Sequence, residues 1–159
     1  MKKLVLIISL SVIASTILFV VMFLSIPRNL NNTLRFNDAA MVAVSISTTQ
    51  NIGGRLVGDS ERFLLERDST EFAALNYLLD KFSYNRTFER NTGVIAIDEN
   101  WNPSDGVWVT IVVMCGDGMR LAVTNHSGRI IIGHRTQKMP QNDLLGLIDG
   151  IAEIIGFGR

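Results

Sequence analysis

Residues Leu4 to Ile26 form one apolar stretch without a single charge, preceded by Met1-Lys2-Lys3 and closed by Pro27-Arg28. At about 1.5 Å rise per residue a helix of that length reaches roughly 34 Å, enough to cross a hydrocarbon core about 30 Å thick. The run therefore divides the chain into an apolar rod and a polar-faced remainder.

A cleavable secretory signal also begins with a basic stub, but its apolar region spans about 7 to 15 residues and ends at small residues. Here the small-residue candidate, Val12-Ile13-Ala14, lies mid-run, and cleavage there leaves Ser15 to Ile26 as an exposed apolar tail. The end of the run, Phe23-Leu24-Ser25-Ile26-Pro27, offers no better site. Residues 1–27 are read as an uncleaved signal anchor whose partner is the lipid bilayer, contacted through residues 4–26. The alternative is a secreted domain released by signal cleavage. Lys2 and Lys3 favour a cytoplasmic N-terminus, which places the C-terminal domain outside a cell membrane crossed once. The short Met-Lys-Lys leader points to a bacterial source.

The chain beyond the rod has the length of one domain with one core. Fifteen basic side chains (Lys+Arg 15) face fifteen acidic ones (Asp+Glu 15), so no cationic footprint for a phosphate backbone exists and nucleic acid is not an expected partner. The one cysteine, Cys115, has no second thiol in the chain, so the domain must be stable through packing alone. Residues 28–38, with Asn29, Asn31 and Asn32, have the composition of a juxtamembrane linker, leaving 39–159 as a single extracytoplasmic domain.

Within that domain Val42, Val44 and Ile46 alternate with Ala43, Ser45 and Ser47, the period of two that buries one face of a strand. Gln50-Asn51-Ile52-Gly53-Gly54 then reverses the chain, so Arg55-Leu56-Val57 returns as the second arm of a hairpin. Ser60 to Glu66 is too short for periodicity to separate a helical turn from a strand end. Asp68 or Ser69, with Glu71 following, marks a helix start, and Phe72, Leu75, Leu79 and Phe82 give it one apolar stripe. Strands are expected near 84–88, 92–97, 107–114, 119–123 and 129–132, the last three as an antiparallel meander turning at Cys115-Gly116-Asp117-Gly118 and Asn125-His126-Ser127-Gly128. Asn142 or Asp143 caps a final helix running through Leu144, Leu147, Ile151 and Ile155, in which Gly146 and Gly150 permit close approach of another surface. The fold class is α+β: an N-terminal transmembrane helix, then a small antiparallel sheet, hairpin plus three-stranded meander, packed by two helices.

No motif specifies a reaction or a cofactor. Cys115, Asp117 and His134 are the only set worth weighing as metal ligands, because His126 sits in a turn at the other end of a strand. Ser127 beside His126 lacks the strand-turn-helix elbow that aims a nucleophile. The glycines of Gly116-Asp117-Gly118 lead into a strand, whereas a phosphate cradle leads into a helix. The loop Asp98 to Asp105, with Trp101 and nearby Trp108, has the residue types of a carboxylate pair beside an aromatic platform, and equally those of an ordinary polar turn. Arg86, Arg90, Arg120, Arg129 and Arg135 read more readily as solvated or paired cations than as one anion-attracting patch.

The order of strand, hairpin, helix ending in Leu78-Leu79-Asp80-Lys81-Phe82, meander and closing helix resembles small extracytoplasmic α+β domains of unknown function from Gram-positive bacteria. That resemblance implies an architecture and no activity. The expectation is a membrane-anchored module acting by protein contacts, as a regulatory or accessory subunit, with Trp101, Asp105, Ile151 and Ile155 as its interaction surface. The alternative is a small ligand-binding or hydrolytic domain using the Asp98–Asp105 loop with Trp101. An uncleaved anchor predicts that the full chain resists extraction by alkaline carbonate and that intact mass retains residues 1–27. Soluble protein starting beyond Ile26 is the contrary result.

Overall fold

The computed structural model describes residues 2–52, 55–88, 105–114, 119–124, 129–133 and 135–157. The apolar run is one helix, α1 (Lys2–Ser25), and no residue of it from Ile7 to Ser25 is buried. By length and composition it can cross a membrane or act as a signal sequence. Its hydroxyls fold back onto the helix: Thr16 Oγ1 donates to the Val12 carbonyl at 2.8 Å and Ser25 Oγ to the Val21 carbonyl at 2.7 Å. Such bonds satisfy a hydroxyl without water, which an apolar surrounding demands. Pro27 ends the helix, because its ring disfavours helical backbone at the residue before it.

Residues 28–38 are not a linker. Arg28–Asn29 form strand β1, Leu30–Leu34 a short helix α2, and Phe36–Asp38 a 3-10 turn. Leu30, Leu34 and Phe36 are fully buried in the core. The asparagines that gave the segment its linker composition hold it to the rest of the domain instead. Asn29 caps α2 by accepting from the Asn32 amide at 3.0 Å, and it donates to the Asp80 carbonyl at 2.8 Å. Asn31 Nδ2 donates to Asn76 Oδ1 at 2.6 Å, while Asn76 Nδ2 donates to Asn37 Oδ1 at 3.1 Å. Short amide side chains both donate and accept, so they link two backbones across a helix face. Only Ile26 and Pro27 separate α1 from the first paired residue of the domain.

A long hairpin comes next, β2 (Met41–Ile52) and β3 (Arg55–Glu66), paired in register from Met41 with Glu66 to Ile52 with Arg55. The stretch Ser60 to Glu66 is thus strand throughout. Helix α3 (Thr70–Lys81) begins where Ser69 Oγ accepts from the Phe72 amide at 3.1 Å and buries Phe72, Leu75 and Leu79. Strand β4 is two residues, Ser83–Tyr84, and pairs with β1 rather than joining the large sheet. The strand expected at 92–97 lies outside the described residues.

Strands β5 (Asp105–Met114), β6 (Met119–Thr124), β7 (Arg129–Ile132) and β8 (Arg135–Lys138) make a meander of four strands, one more than expected. It joins the hairpin through antiparallel pairing of β5 with β2, giving one six-stranded sheet in the order β3-β2-β5-β6-β7-β8. Arg135-Thr136-Gln137-Lys138 has no apolar alternation, so periodicity does not show β8; Gly133, at φ 61, makes the tight turn that delivers it. The final helix α4 (Gln141–Ile155) starts after Pro140 with no side-chain cap, contrary to the Asn142 or Asp143 expected. It ends in a Schellman turn at Gly156 (φ 70): the Phe157 amide donates to the Ala152 carbonyl at 2.9 Å and the Gly156 amide to that of Glu153 at 3.2 Å.

One face of the sheet presents Val42, Val44, Ile46, Val109, Ile111 and Val113, all fully buried, to α2, α3 and α4. Phe36 closes that core against Phe72, with ring centroids 4.6 Å apart. Because residues 30–36 are core, Leu34→Ala should cost about 3 kcal/mol in urea unfolding. A soluble domain starting at Pro27 should unfold cooperatively, and one starting at Ala39 should not.

Candidate functional site

The candidate residues read from the sequence do not come together. Trp101 and the loop positions 98–104 lie outside the described residues, as do Cys115, Asp117, His126 and His134. Asp105 opens β5, its backbone paired with Gln50 of β2. Ile151 is fully buried, so it belongs to the core and is no part of a docking surface. Ile155 is half-buried against the same core. Among the described residues no group of three or more His, Cys, Asp or Glu is placed to hold a metal ion.

The close-approach face of α4 is real, and this chain fills it. A Cβ built on Gly150 would lie 2.7 Å and 2.9 Å from the two terminal carbons of Leu78, and one on Gly146 would meet Phe82 Cζ at 3.5 Å. Helix α3 therefore occupies the groove at Gly150, which explains why that glycine is retained despite roughly 1 kcal/mol of lost propensity, while Gly146 leaves room for a Cβ in ordinary contact with Phe82. The face is an internal helix contact.

Two surface features remain. The first is a cleft of about 590 Å³ where the end of α1 meets the domain, lined by Leu24, Ser25, Asn85, Arg86, Thr87, Phe88 and Lys138. Its far wall is built by β8. Asn85 and Lys138 exchange backbone hydrogen bonds of 2.8 and 3.0 Å, the Thr87 amide donates to Gln137 Oε1 at 3.0 Å, and Thr87 Oγ1 donates to the Thr136 carbonyl. These bonds fix residues 85–88 beside the strand without making them part of it. The Arg86 guanidinium stacks over the Phe23 ring of α1, 4.4 Å from its centroid. Phe88 is 68% exposed. Among the described residues the lining carries two cations and an amide and neither a carboxylate nor a histidine, so its chemistry suits holding an anion.

The second feature lies on the sheet face opposite the helices. Register places Leu64, Ala43 and Val112 side by side across β3, β2 and β5. Leu64 is 58% exposed, whereas Ala43 is buried and Val112 half-buried. Further along the hairpin the face turns polar, with Ser47 Oγ donating to Ser60 Oγ at 2.9 Å.

Neither feature is apparent from the sequence. Arg86 is visible there only as one of five scattered arginines, and Lys138 sits in the strand that periodicity does not show. Leu64 lies in a Phe63-Leu64-Leu65 triplet whose faces cannot be separated until it is known to be strand. No family model matches the chain, and neither does any curated protein or solved structure.

Filling the glycine groove has a measurable consequence. Gly146→Ala should raise stability by about 0.5–1 kcal/mol through helix propensity alone. Gly150→Ala should fail to gain this, because Leu78 must move, and should recover it in a Leu78→Ala background. A double-mutant cycle in urea reads the coupling.

Proposed function

We propose that this protein is a membrane-anchored, extracytoplasmic interaction module, serving as a regulatory or accessory subunit of a protein at the same membrane. One observation carries the reading. The chain joins an apolar rod with no buried residue between Ile7 and Ser25 to a domain whose sheet exposes Leu64 on the face opposite α2, α3 and α4. A largely exposed apolar side chain on the outer strand, at the end of a cross-strand row, offers a partner apolar area to bury. The rod supports membrane attachment by length and composition, and Lys2-Lys3 supports a cytoplasmic N-terminus.

The interaction surface moves accordingly. Ile151 is excluded by burial, and the row of Leu64, Ala43 and Val112 takes its place. Val57, 49% exposed on the outer strand β3, is a separate apolar contact on the other face of the hairpin. The alternative of a ligand-binding or hydrolytic domain built on the Asp98–Asp105 loop has no observation in its favour among the described residues.

Crosslinking and affinity isolation of the full chain from its native membrane tests the reading. Leu64→Asp should reduce recovery of the crosslinked partner at least several-fold while leaving the thermal midpoint nearly unchanged, since its side chain is largely in solvent. Tyr77→Ser, on the exposed side of α3 (68% exposed), should leave recovery intact. Absence of any partner with the unsubstituted chain, or equal recovery with Leu64→Asp, would remove the case for this surface.

A further inference from the structure

We infer that the cleft between α1 and the domain is a docking site for anionic phospholipid headgroups of the bilayer that α1 crosses, so that the domain is held down on the membrane at this edge. The inference rests on the anchor reading of the proposed function and adds a ligand and a site to it.

The geometry sets the depth. Phe23 lies two residues before the end of α1, about 3 Å along the axis from Ser25. With α1 spanning a core about 30 Å thick, its last turn falls at the boundary between acyl chains and headgroups. The Arg86 guanidinium, stacked on Phe23, is therefore held at that boundary, and Leu24 and Ser25 line the same cleft. A cation fixed there needs a counter-charge, and phosphate esters are the anions present at that depth. The planar fork of an arginine matches a phosphate with two parallel hydrogen bonds. Lys138, in the same wall, adds a second positive charge, with the Asn85 amide beside it.

Apolar parts of the lining distinguish a lipid from a free anion. Phe88, 68% exposed at the rim, and Leu24 on the opposite wall offer a surface for the upper acyl chain, which inorganic phosphate lacks. The wall that carries the cations is rigid. Backbone bonds between Asn85 and Lys138 and the Thr87 amide bond to Gln137 fix 85–88 to β8, so little ordering is needed on binding.

The test uses the full chain reconstituted into vesicles of phosphatidylcholine alone, or of equal parts phosphatidylcholine and phosphatidylglycerol. Cys115→Ser with Ser83→Cys places one fluorophore on the exposed β4 position next to the cleft but outside its lining. Quenching by headgroup-labelled lipid reports how closely the domain lies on the surface. Quenching is expected to be stronger in the anionic vesicles, to fall with added salt, and to be unchanged when inorganic phosphate replaces chloride at constant ionic strength. Arg86→Gln with Lys138→Gln should cut the preference for anionic vesicles by roughly 25-fold, since each cation near an anionic surface contributes roughly five-fold. Equal quenching in both vesicles, or an unchanged preference in the double variant, would overturn the inference while leaving the anchor intact. Competition by inorganic phosphate would overturn the assignment to lipid. Extraction of the unsubstituted chain by alkaline carbonate would remove the anchor reading and this inference with it.

Discussion

The joint between the apolar helix and the domain governs everything else in this structure. Leu30, Leu34 and Phe36 enter the core within a few residues of the end of α1, and Asn29, Asn31 and Asn76 stitch the entry to α3. Burying three large apolar side chains of this kind is worth several kcal/mol, far more than the chain entropy of a short connector. The domain consequently has no independent tether. Arg86 on Phe23 adds a further contact between the helix end and the domain.

The sheet and helices obey a simpler logic. Strands β2 and β5 are both interior and carry the densest β-branched alternation, so they define the buried face to which α3 and α4 are recruited. Helices α3 and α4 pack close to each other over this face, and Gly150 permits this by receiving Leu78. Glycine here trades helix propensity for proximity. The hairpin extends beyond the helices, where Asp59, Glu61 and Arg62 are exposed on the outer strand; charges at such an edge discourage pairing with other chains.

The sequence is legible where periodicity encodes the structure. The apolar rod comes from an uncharged run and the β2–β3 hairpin from its turn residues, while the period-two strand at Val42 to Ile46, the stripe Phe72, Leu75, Leu79 and the apolar arc of α4 come from a repeat of one length. Three features have no repeat to show. Residues 28–38 are hidden because their asparagines have the composition of a linker, and composition does not reveal whether an amide faces water or another amide. Strand β8 is polar because its one buried side chain, Gln137, bonds the Thr87 backbone in place of filling a core. The start of α4 differs from expectation because Pro140 begins a helix through its fixed φ, without the side-chain oxygen that marks most caps. The burial of Ile151, expected at a docking surface, has a related cause: it lies on a wide apolar arc, and an arc alone does not say which part is covered.

A charge-balanced protein has little long-range attraction to an anionic surface, so two cations in a cleft would not recruit a free domain to a membrane. A spanning helix changes that arithmetic. It would hold the domain within a few ångströms of the headgroups, where the effective lipid concentration is very high and a contact too weak for recruitment is strong enough to set orientation. The rigid joint matters for the same reason, because a flexible linker would spread the domain over many angles and dilute the contact. With the cleft edge held down, the sheet face that carries Leu64 would be held at one orientation, and a membrane partner would meet Leu64 at a fixed height without a search through tilts. Anchor, joint and cleft would then each contribute to binding at a surface that none of them touches.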